Sequence, residues 1–332
     1  MASLSDHVRN AVAPFRWREA LNCAPAIALL LIAGLVIGKP LEGAIAAGAA
    51  FSVGFGAYRR IRSKPWLAMS LTAAAMTAAA FLGSTIGQYP LPFTLCSATL
   101  AALVAWFALY EENIWWIALE TAIAFFVAGY FAGPLDVALD RALAVAIGGT
   151  VQTLLVGFLR EREGPIPAQA PVRPALFQAH AFRAAASVGI ATWLALTFKL
   201  GNGYWAPMTA LIVLKPGLRD TGVRGLFRVA GTVGGCAAAS LFALAFPSTP
   251  AVLVVAILVC AWLAYALQRA NYAVFSAAVS ATVVFLLALH EPEAVGAVRR
   301  VIATLAGGGV ALAVAYLGRR PPMLRPTPRG AA

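Results

Sequence analysis

Three charged residues stand inside long apolar segments of the sequence: Arg141, Arg300 and Glu120. A charge within a bilayer is expensive and usually faces a cavity or a partner. A guanidinium group binds a carboxylate through two parallel hydrogen bonds, so Arg141 and Arg300 are candidate binding residues for an organic anion. The alternative is that both arginines snorkel towards water or pair with a nearby carboxylate. The nearby carboxylates are those of Asp136, Asp140, Glu291 and Glu293.

Glu120 is the candidate residue for proton coupling. It lies about seven residues into its predicted helix, roughly 10 Å deep at a rise of 1.5 Å per residue. A buried carboxyl group holds a proton more readily than an exposed one, so this residue could couple transport to a proton gradient. The alternative is a structural glutamate that is neutral or hydrogen-bonded.

An aromatic pair and a following basic loop complete the candidate binding residues. Tyr204 and Trp205 begin a predicted helix, where they could stack on an aromatic substrate or belong to an interfacial aromatic belt. Lys215 and Arg219 follow, and could draw anions towards an inner vestibule, unless their charge only sets topology. Two basic clusters are predicted in this way: Arg59, Arg60, Arg62 and Lys64, and Lys215, Arg219, Arg224 and Arg228.

The sequence has no motif that would indicate an enzyme, a metal site or a cofactor. The segment from Gly34 to Pro40 resembles a phosphate-binding loop but lacks one residue of spacing and the final Ser or Thr. His290 and Glu291 are too few for a metal site. The cysteines, which stand singly in apolar runs and are interpreted as packing residues, are Cys23, Cys96, Cys236 and Cys260. No catalytic residue is predicted.

The composition places these residues in a membrane. Of 332 residues, 61% are hydrophobic and 11% are charged, and the mean hydropathy is +0.82. Soluble domains carry about 25% charged residues. The net charge of +12 comes from residues in short loops rather than from one basic face, which argues against a nucleic-acid partner. The sequence therefore predicts an all-α integral membrane protein.

Apolar runs and helix breakers predict about 12 transmembrane helices in two parallel six-helix repeats. A shift of 160 positions pairs Lys39 with Lys199 and Arg59 with Arg219, and a shift of 159 pairs Arg141 with Arg300. Six spans per half is an even number, so both halves enter from the same side. The predicted spans are 21–38, 42–57, 66–86, 91–110, 113–133, 137–159, 181–198, 203–220, 225–246, 250–268, 271–290 and 295–317.

The predicted organisation is a cytoplasmic segment 1–20, membrane halves 21–159 and 179–318, a cytoplasmic linker 160–178 and a basic tail 319–332. If the N-terminus is cytoplasmic, about 20 of the 25 Lys and Arg residues lie inside. This predicts a multi-pass protein of the inner membrane with both termini cytoplasmic. The arginines of the tail are expected to contact anionic lipid.

The segment "GNGYWAPMTALIVLKPGLRDTGVRGLFRVAGTVGG", from Gly201 to Gly235, resembles the fusaric-acid-resistance-like (FUSC) family. The resemblance covers residues 178–318 and extends more weakly to the first half. This family is similar to bacterial aromatic acid exporters and, more distantly, to plant malate channels. Larger members carry cytoplasmic domains that this sequence lacks.

The resemblance implies export of aromatic or other organic carboxylates across the inner membrane, and the residues above favour proton coupling. The chain is not expected to be an enzyme. The alternatives are a passive organic-anion channel and an accessory membrane subunit without transport of its own. Expected partners are a small organic anion and membrane lipid, with a homo-oligomer and a periplasmic adaptor subunit as further candidates.

Overall fold

The computed structural model describes residues 15–57, 59, 61, 64–159, 174–246, 249–289 and 295–318. Within these residues, all regular structure is helical apart from one isolated bridge between Ile61 and Lys64. Twelve helices have nine residues or more, which agrees with the predicted number of helices. The helices are α1 (Trp17–Leu21), α2 (Ala24–Val36), α3 (Pro40–Gly54), α4 (Pro65–Ile86), α5 (Pro90–Tyr110), α6 (Glu112–Tyr130), α7 (Leu135–Leu159), α8 (Pro174–Thr197), α9 (Trp205–Val213), α10 (Leu218–Ala245), α11 (Pro250–Leu267), α12 (Tyr272–Ala288) and α13 (Val295–Leu317).

Fewer helices than predicted are long enough to cross a membrane. In the described part of the chain, seven helices are long and apolar enough to cross a membrane: α4, α5, α6, α7, α10, α11 and α13. Two further apolar helices, α2 and α12, are shorter. The predicted linker 160–178 is also shorter than expected, because α8 already begins at Pro174; residues 160–173 and the basic tail lie outside the described residues.

The break between α9 and α10 falls inside the predicted span 203–220. α9 ends at Val213 and α10 begins at Leu218, whereas the sequence analysis placed a loop from 221 to 224. The reason is Pro216, which lacks an N–H group and disfavours helical geometry at Lys215 before it. The hydroxyl of Thr221 stabilises the break: it accepts from Lys215 N at 2.9 Å and donates to Gly217 O at 2.8 Å.

Helices at equivalent positions of the two halves have equivalent neighbours. α4 packs against α6 and α7, and α10 packs against α12 and α13. In the same way, α3 packs against α7, and α9 packs against α13. Between the halves, α5 packs against α8, and its counterpart α11 packs against α1 and α2. In addition, α3 contacts α12, and α9 contacts α6. These pairs of contacting helices therefore recur in both halves.

Two glycines bring helix backbones into direct contact at equivalent places. A Cβ atom at Gly148 of α7 would overlap the carbonyl oxygen of Ala46 in α3. A Cβ atom at Gly307 of α13 would overlap the carbonyl oxygen of Ala206 in α9. Glycine is required at both positions because any side chain would push the two backbones apart.

The outward-facing surface of the helices is apolar. Large side chains there are more than half exposed, which is the pattern expected where hydrocarbon rather than water is the neighbour. Examples are Leu29, Leu95, Leu143, Phe182 and Leu244. Together with the seven long apolar helices, this surface supports a multi-pass membrane protein.

Candidate functional site

A cavity of about 1440 Å³ lies between the two halves and is lined by residues of both. It extends from the end of the molecule where the chain leaves α7 for α8, called here the linker end, towards the opposite, far end. Its lining carries eight Arg and Lys side chains against two carboxylates. The cations are Arg16, Arg59, Arg141, Lys215, Arg224, Arg228, Arg269 and Arg299, and the carboxylates are Glu112 and Glu120. Such a lining attracts anions and repels cations.

Aromatic rings alternate with these cations around the same cavity. A guanidinium or ammonium group lies within about 6 Å of a ring in several places, as with Arg59 over Trp116 at 5.5 Å and Arg224 over Tyr272 at 3.2 Å. The aromatic lining residues are Phe51, Phe55, Trp115, Trp116, Tyr130, Phe131, Tyr204, Trp205, Tyr272 and Phe275. Flat apolar faces beside positive charge suit a ligand with a ring and an acidic group.

Glu120 lies on the wall of the cavity, buried and in the middle of α6. Ser52 of α3 and Trp116, one turn earlier in α6, lie beside its carboxyl group. Arg59, at the linker end, attracts the carboxyl group of Glu120 electrostatically. Arg59 itself pairs with Glu112 at 3.3 Å. A chain of ionisable groups therefore leads from Glu120 to the linker end.

Arg141 lines the far end of the cavity. Its Nη1 donates to the hydroxyl of Ser84 at 2.6 Å and to Ala128 O at 3.4 Å. Within the described residues, Asp136 and Asp140 form no ion pair with it, so those two predicted partners are not used. The guanidinium group is held by neutral acceptors and retains its full charge towards the cavity.

Arg300 occupies a different environment from Arg141. Its side chain is 1% exposed, and it is not among the residues that line the cavity. Its Nη2 donates to Ser280 Oγ at 3.1 Å, and its Cζ lies 3.4 Å from the ring centroid of Trp205. Trp205 does line the cavity, so the indole separates Arg300 from that space. His290, Glu291 and Glu293 lie outside the described residues.

Tyr204 and Trp205 are 4% and 3% exposed. An interfacial belt would leave such rings facing lipid, so that interpretation is wrong for this pair. Tyr204 instead contacts Tyr130 and Phe131 across the boundary between the halves, with ring centroids 5.3 and 5.9 Å apart. The aromatic pair belongs to the cavity wall.

The predicted basic loop divides into three parts. Lys215 lines the cavity at the linker end, 5.9 Å from the ring of Trp115, and burial, with help from Arg224, lowers its pKa to about 8. Arg219 is exposed and is not among the cavity-lining residues. Arg224 and Arg228 are not in a loop at all, since α10 begins at Leu218. Arg60 and Arg62 of the first cluster lie outside the described residues.

Arg228, predicted to belong to the basic loop that follows Tyr204 and Trp205, lies inside α10 instead. It is 3% exposed, lines the cavity, and donates from Nη1 to Ser276 Oγ at 3.3 Å. A signal for its position was present: Thr221, Gly225, Arg228, Thr232 and Gly235 recur every three or four residues and form the buried face of α10. Once Pro216 is taken as the break, this periodicity puts Arg228 inside the protein.

Metal ligands do not gather in this structure: in the described ranges, no group of three His, Cys, Asp or Glu side chains lies close enough to hold an ion. The site therefore consists of cationic, aromatic and hydroxyl groups with one buried carboxyl group. Such groups can bind, orient and release an anionic ligand by charge, hydrogen bonding and stacking.

Comparison with known proteins agrees with the resemblance noted in the sequence. The family model described as "Fusaric acid resistance protein-like" matches residues 190–314, which run from α8 to α13. No curated protein and no solved structure is significantly similar to the chain. The family match suggests a role in membrane transport or resistance. Residues 190–314 of the second half are therefore similar to the fusaric acid resistance protein-like family.

Proposed function

We propose that the protein exports organic carboxylate anions, in particular those with an aromatic ring, across the inner membrane in exchange for protons. The observation that carries the proposal is the cavity lining of eight cations, two carboxylates and ten aromatic rings. A carboxylate is stabilised by the cations, and its ring by the flat apolar faces. A cation or a neutral sugar would gain little from the same lining.

In this proposal, Arg141, Lys215, Tyr204 and Trp205 bind the substrate together with Arg228. Arg141 lies near the far end and Lys215 near the linker end, so positive charge is available at both ends of the cavity. Arg300 packs against the indole of Trp205 and does not itself line the cavity. Arg219, exposed near the linker end, contributes only to the potential that attracts anions.

The two halves are proposed to be parallel repeats related by a pseudo-twofold axis along the membrane normal. The equivalent helix contacts support this arrangement, and so do two contacts between the halves. The ring centroids of Phe55 and Phe275 lie 5.7 Å apart. A shift of 160 positions turns this pair into Lys215 and Trp115, and Lys215 Nζ lies 5.9 Å from the ring centroid of Trp115. The excess of positive charge at the linker end supports a cytoplasmic location of that end.

Glu120 is proposed to carry the proton. It is buried, it faces the cavity that the anion would occupy, and Arg59 and Glu112 connect it to the linker end. Exchange requires that the protein carries the anion in one direction and the proton, on Glu120, in the other, so that the two are bound in turn.

The test is uptake of labelled 4-hydroxybenzoate into proteoliposomes with an acidic interior. Exchange predicts accumulation inside as protons leave, with cyclohexanecarboxylate transported less well because it lacks the aromatic ring. The design separates transport from leakage, since a weak acid that diffuses through lipid collects on the alkaline side. Empty liposomes provide the baseline.

Two other results would replace the proposal. Uptake that follows an imposed voltage and ignores the proton gradient would identify a passive anion channel. Uptake equal to that of empty liposomes, for protein that is monodisperse and inserted, would reject transport of this substrate class by the chain alone. The second result would favour an accessory subunit.

A further inference from the structure

A pair of buried arginines in the second half has no acidic partner. Arg228 of α10 donates to Ser276, and Arg300 of α13 donates to Ser280, one turn further along α12. Both guanidinium groups face the ring of Trp205, at 5.8 and 3.4 Å. Three helices therefore bring two positive charges together beside one indole.

Nothing among the described residues neutralises these charges. Neither arginine has an acidic side chain as a hydrogen-bond or ion-pair partner there. The ionisable neighbours of Arg300 are Arg228, Cys236 and Tyr204, of which Arg228 repels it. Two like charges buried together cost several kcal/mol unless an opposite charge joins them.

The same site contains several donors that have no acceptor. Nε and Nη1 of Arg300, Nε of Arg228 and Nε1 of Trp205 are buried without a hydrogen-bond partner. The hydroxyl groups of Thr232 and Thr304, each one turn from one of the arginines, are also unpartnered. Guanidinium and indole N–H groups cannot accept hydrogen bonds, so the four nitrogen donors cannot satisfy one another, and the two hydroxyl groups that could accept from them carry no charge. What the site lacks is an acceptor with negative charge.

We propose that Arg228 and Arg300 together bind one small monovalent anion, either chloride or the carboxylate group of a small acid. The anion would accept hydrogen bonds from both guanidinium groups and neutralise their mutual repulsion. Arg228 lines the cation-lined cavity and Arg300 packs against Trp205, so the site adjoins that cavity. Because Arg228 is also a proposed substrate-binding residue, the inference extends the proposed function, but anion binding here does not require transport.

The equivalent position in the first half offers a contrast. Arg141 has no second arginine at its side, since the position equivalent to Arg228 is Ala68. The site is therefore a property of the second half alone and not a general consequence of the repeated helices.

The experiment is equilibrium binding of ³⁶Cl⁻ to the purified full-length protein in detergent, with gluconate as the background anion. The expected result is one saturable site per chain, weakened at least about tenfold by Arg228→Gln and by Arg300→Gln, a loss of about 1.4 kcal/mol. Arg18→Gln is the matched control, because Arg18 is exposed on α1 and should leave binding unchanged.

A further variant tests the same site without removing an arginine. Ser280→Glu places a carboxylate beside Arg300, where it should take the place of the anion and abolish ³⁶Cl⁻ binding. In the wild type, chloride should also raise the melting temperature relative to gluconate. This second measurement needs no variant, so it stands even if an arginine variant fails to fold.

Competition with excess unlabelled 4-hydroxybenzoate distinguishes the two sources of the anion. Displacement of ³⁶Cl⁻ would assign the site to a carboxylate, and its absence would assign the site to the inorganic ion. The inference is overturned if wild-type protein shows neither saturable ³⁶Cl⁻ binding nor chloride-dependent melting, or if both glutamine variants bind as wild type does. Failure of transport alone would leave the site in place.

Discussion

The two halves use equivalent helices to hold opposite kinds of polar group. At the middle of α6 the first half has Glu120, whereas the equivalent residue of α12 is Ser280. On the third long helix the second half has Arg228, whereas the first half has Ala68. One half therefore presents the buried acid Glu120 to the cavity, and the other presents the buried arginine Arg228.

This difference shows that the helix contacts and the polar groups are specified separately. Gly148 and Gly307 make the same backbone contact in both halves, yet the charged residues nearby do not match. A repeated scaffold can carry different chemistry on its two sides because contacts between small residues do not depend on the charges. An acid on one side and bases on the other are suited to alternate binding of a proton and an anion.

Of the variants that test this comparison, Glu120→Gln is expected to have the largest effect, and the effect is on proton-driven transport. The substitution keeps the size of the side chain but removes its ability to exchange a proton. Accumulation of 4-hydroxybenzoate driven by an acidic interior should fall to the level of empty liposomes. Ser280→Ala, at the equivalent position, should retain the response to the gradient. Unchanged uptake by Glu120→Gln would remove this residue from the mechanism.

Gly307→Ala and Gly148→Ala should both destabilise the fold, because each new Cβ atom overlaps a backbone carbonyl of the adjoining short helix. The expected loss is about 1–3 kcal/mol. Gly308→Ala is the matched control, since a Cβ atom there meets nothing within 4 Å. Thermal unfolding in detergent, followed by size-exclusion chromatography, measures the effect. If only one of the two variants is destabilised, the scaffolds are less alike than their contacts indicate.

Trp205→Ala is expected to weaken binding of 4-hydroxybenzoate about tenfold, because loss of the indole removes both a stacking face for the ligand and the ring that packs against Arg300. Trp205→Phe should recover part of that affinity. Isothermal titration of purified protein would give both values. A loss of similar size with cyclohexanecarboxylate would show that the indole contributes apolar area rather than recognition of an aromatic ring.

Lys215 is expected to give the smallest effect, a dependence of anion binding on pH. Its pKa is lowered to about 8 by burial and by Arg224, so the ammonium group is charged at pH 7 and mostly neutral at pH 9. Binding of 4-hydroxybenzoate should therefore weaken as pH rises, by roughly fivefold for a loss of about 1 kcal/mol. Lys215→Arg keeps its charge and should lose this dependence. The same decline in Lys215→Arg would assign it to another group.

The sequence predicts the order of helices well because apolar runs and breakers are local features. The predictions that were wrong concern features that depend on tertiary contacts. The run from Trp205 onward is apolar enough to continue as one helix, but Pro216 and the hydroxyl of Thr221 end it early. Arg228 was misplaced as a consequence, since its burial depends on where α10 begins. The separation of Arg300 from the cavity depends on Trp205, which no spacing along the chain reveals.

The backbone contacts at Gly148 and Gly307 also determine which parts of the molecule can move. Because Gly148 holds α7 against α3, and Gly307 holds α13 against α9, sliding or tilting of either pair at that point would separate main-chain atoms. Each pair is therefore expected to move together. Contacts between the halves are made by side chains, as at Phe55 with Phe275 and at Lys215 with Trp115. Opening of the cavity would then be a rotation of the two helix pairs about these side-chain contacts.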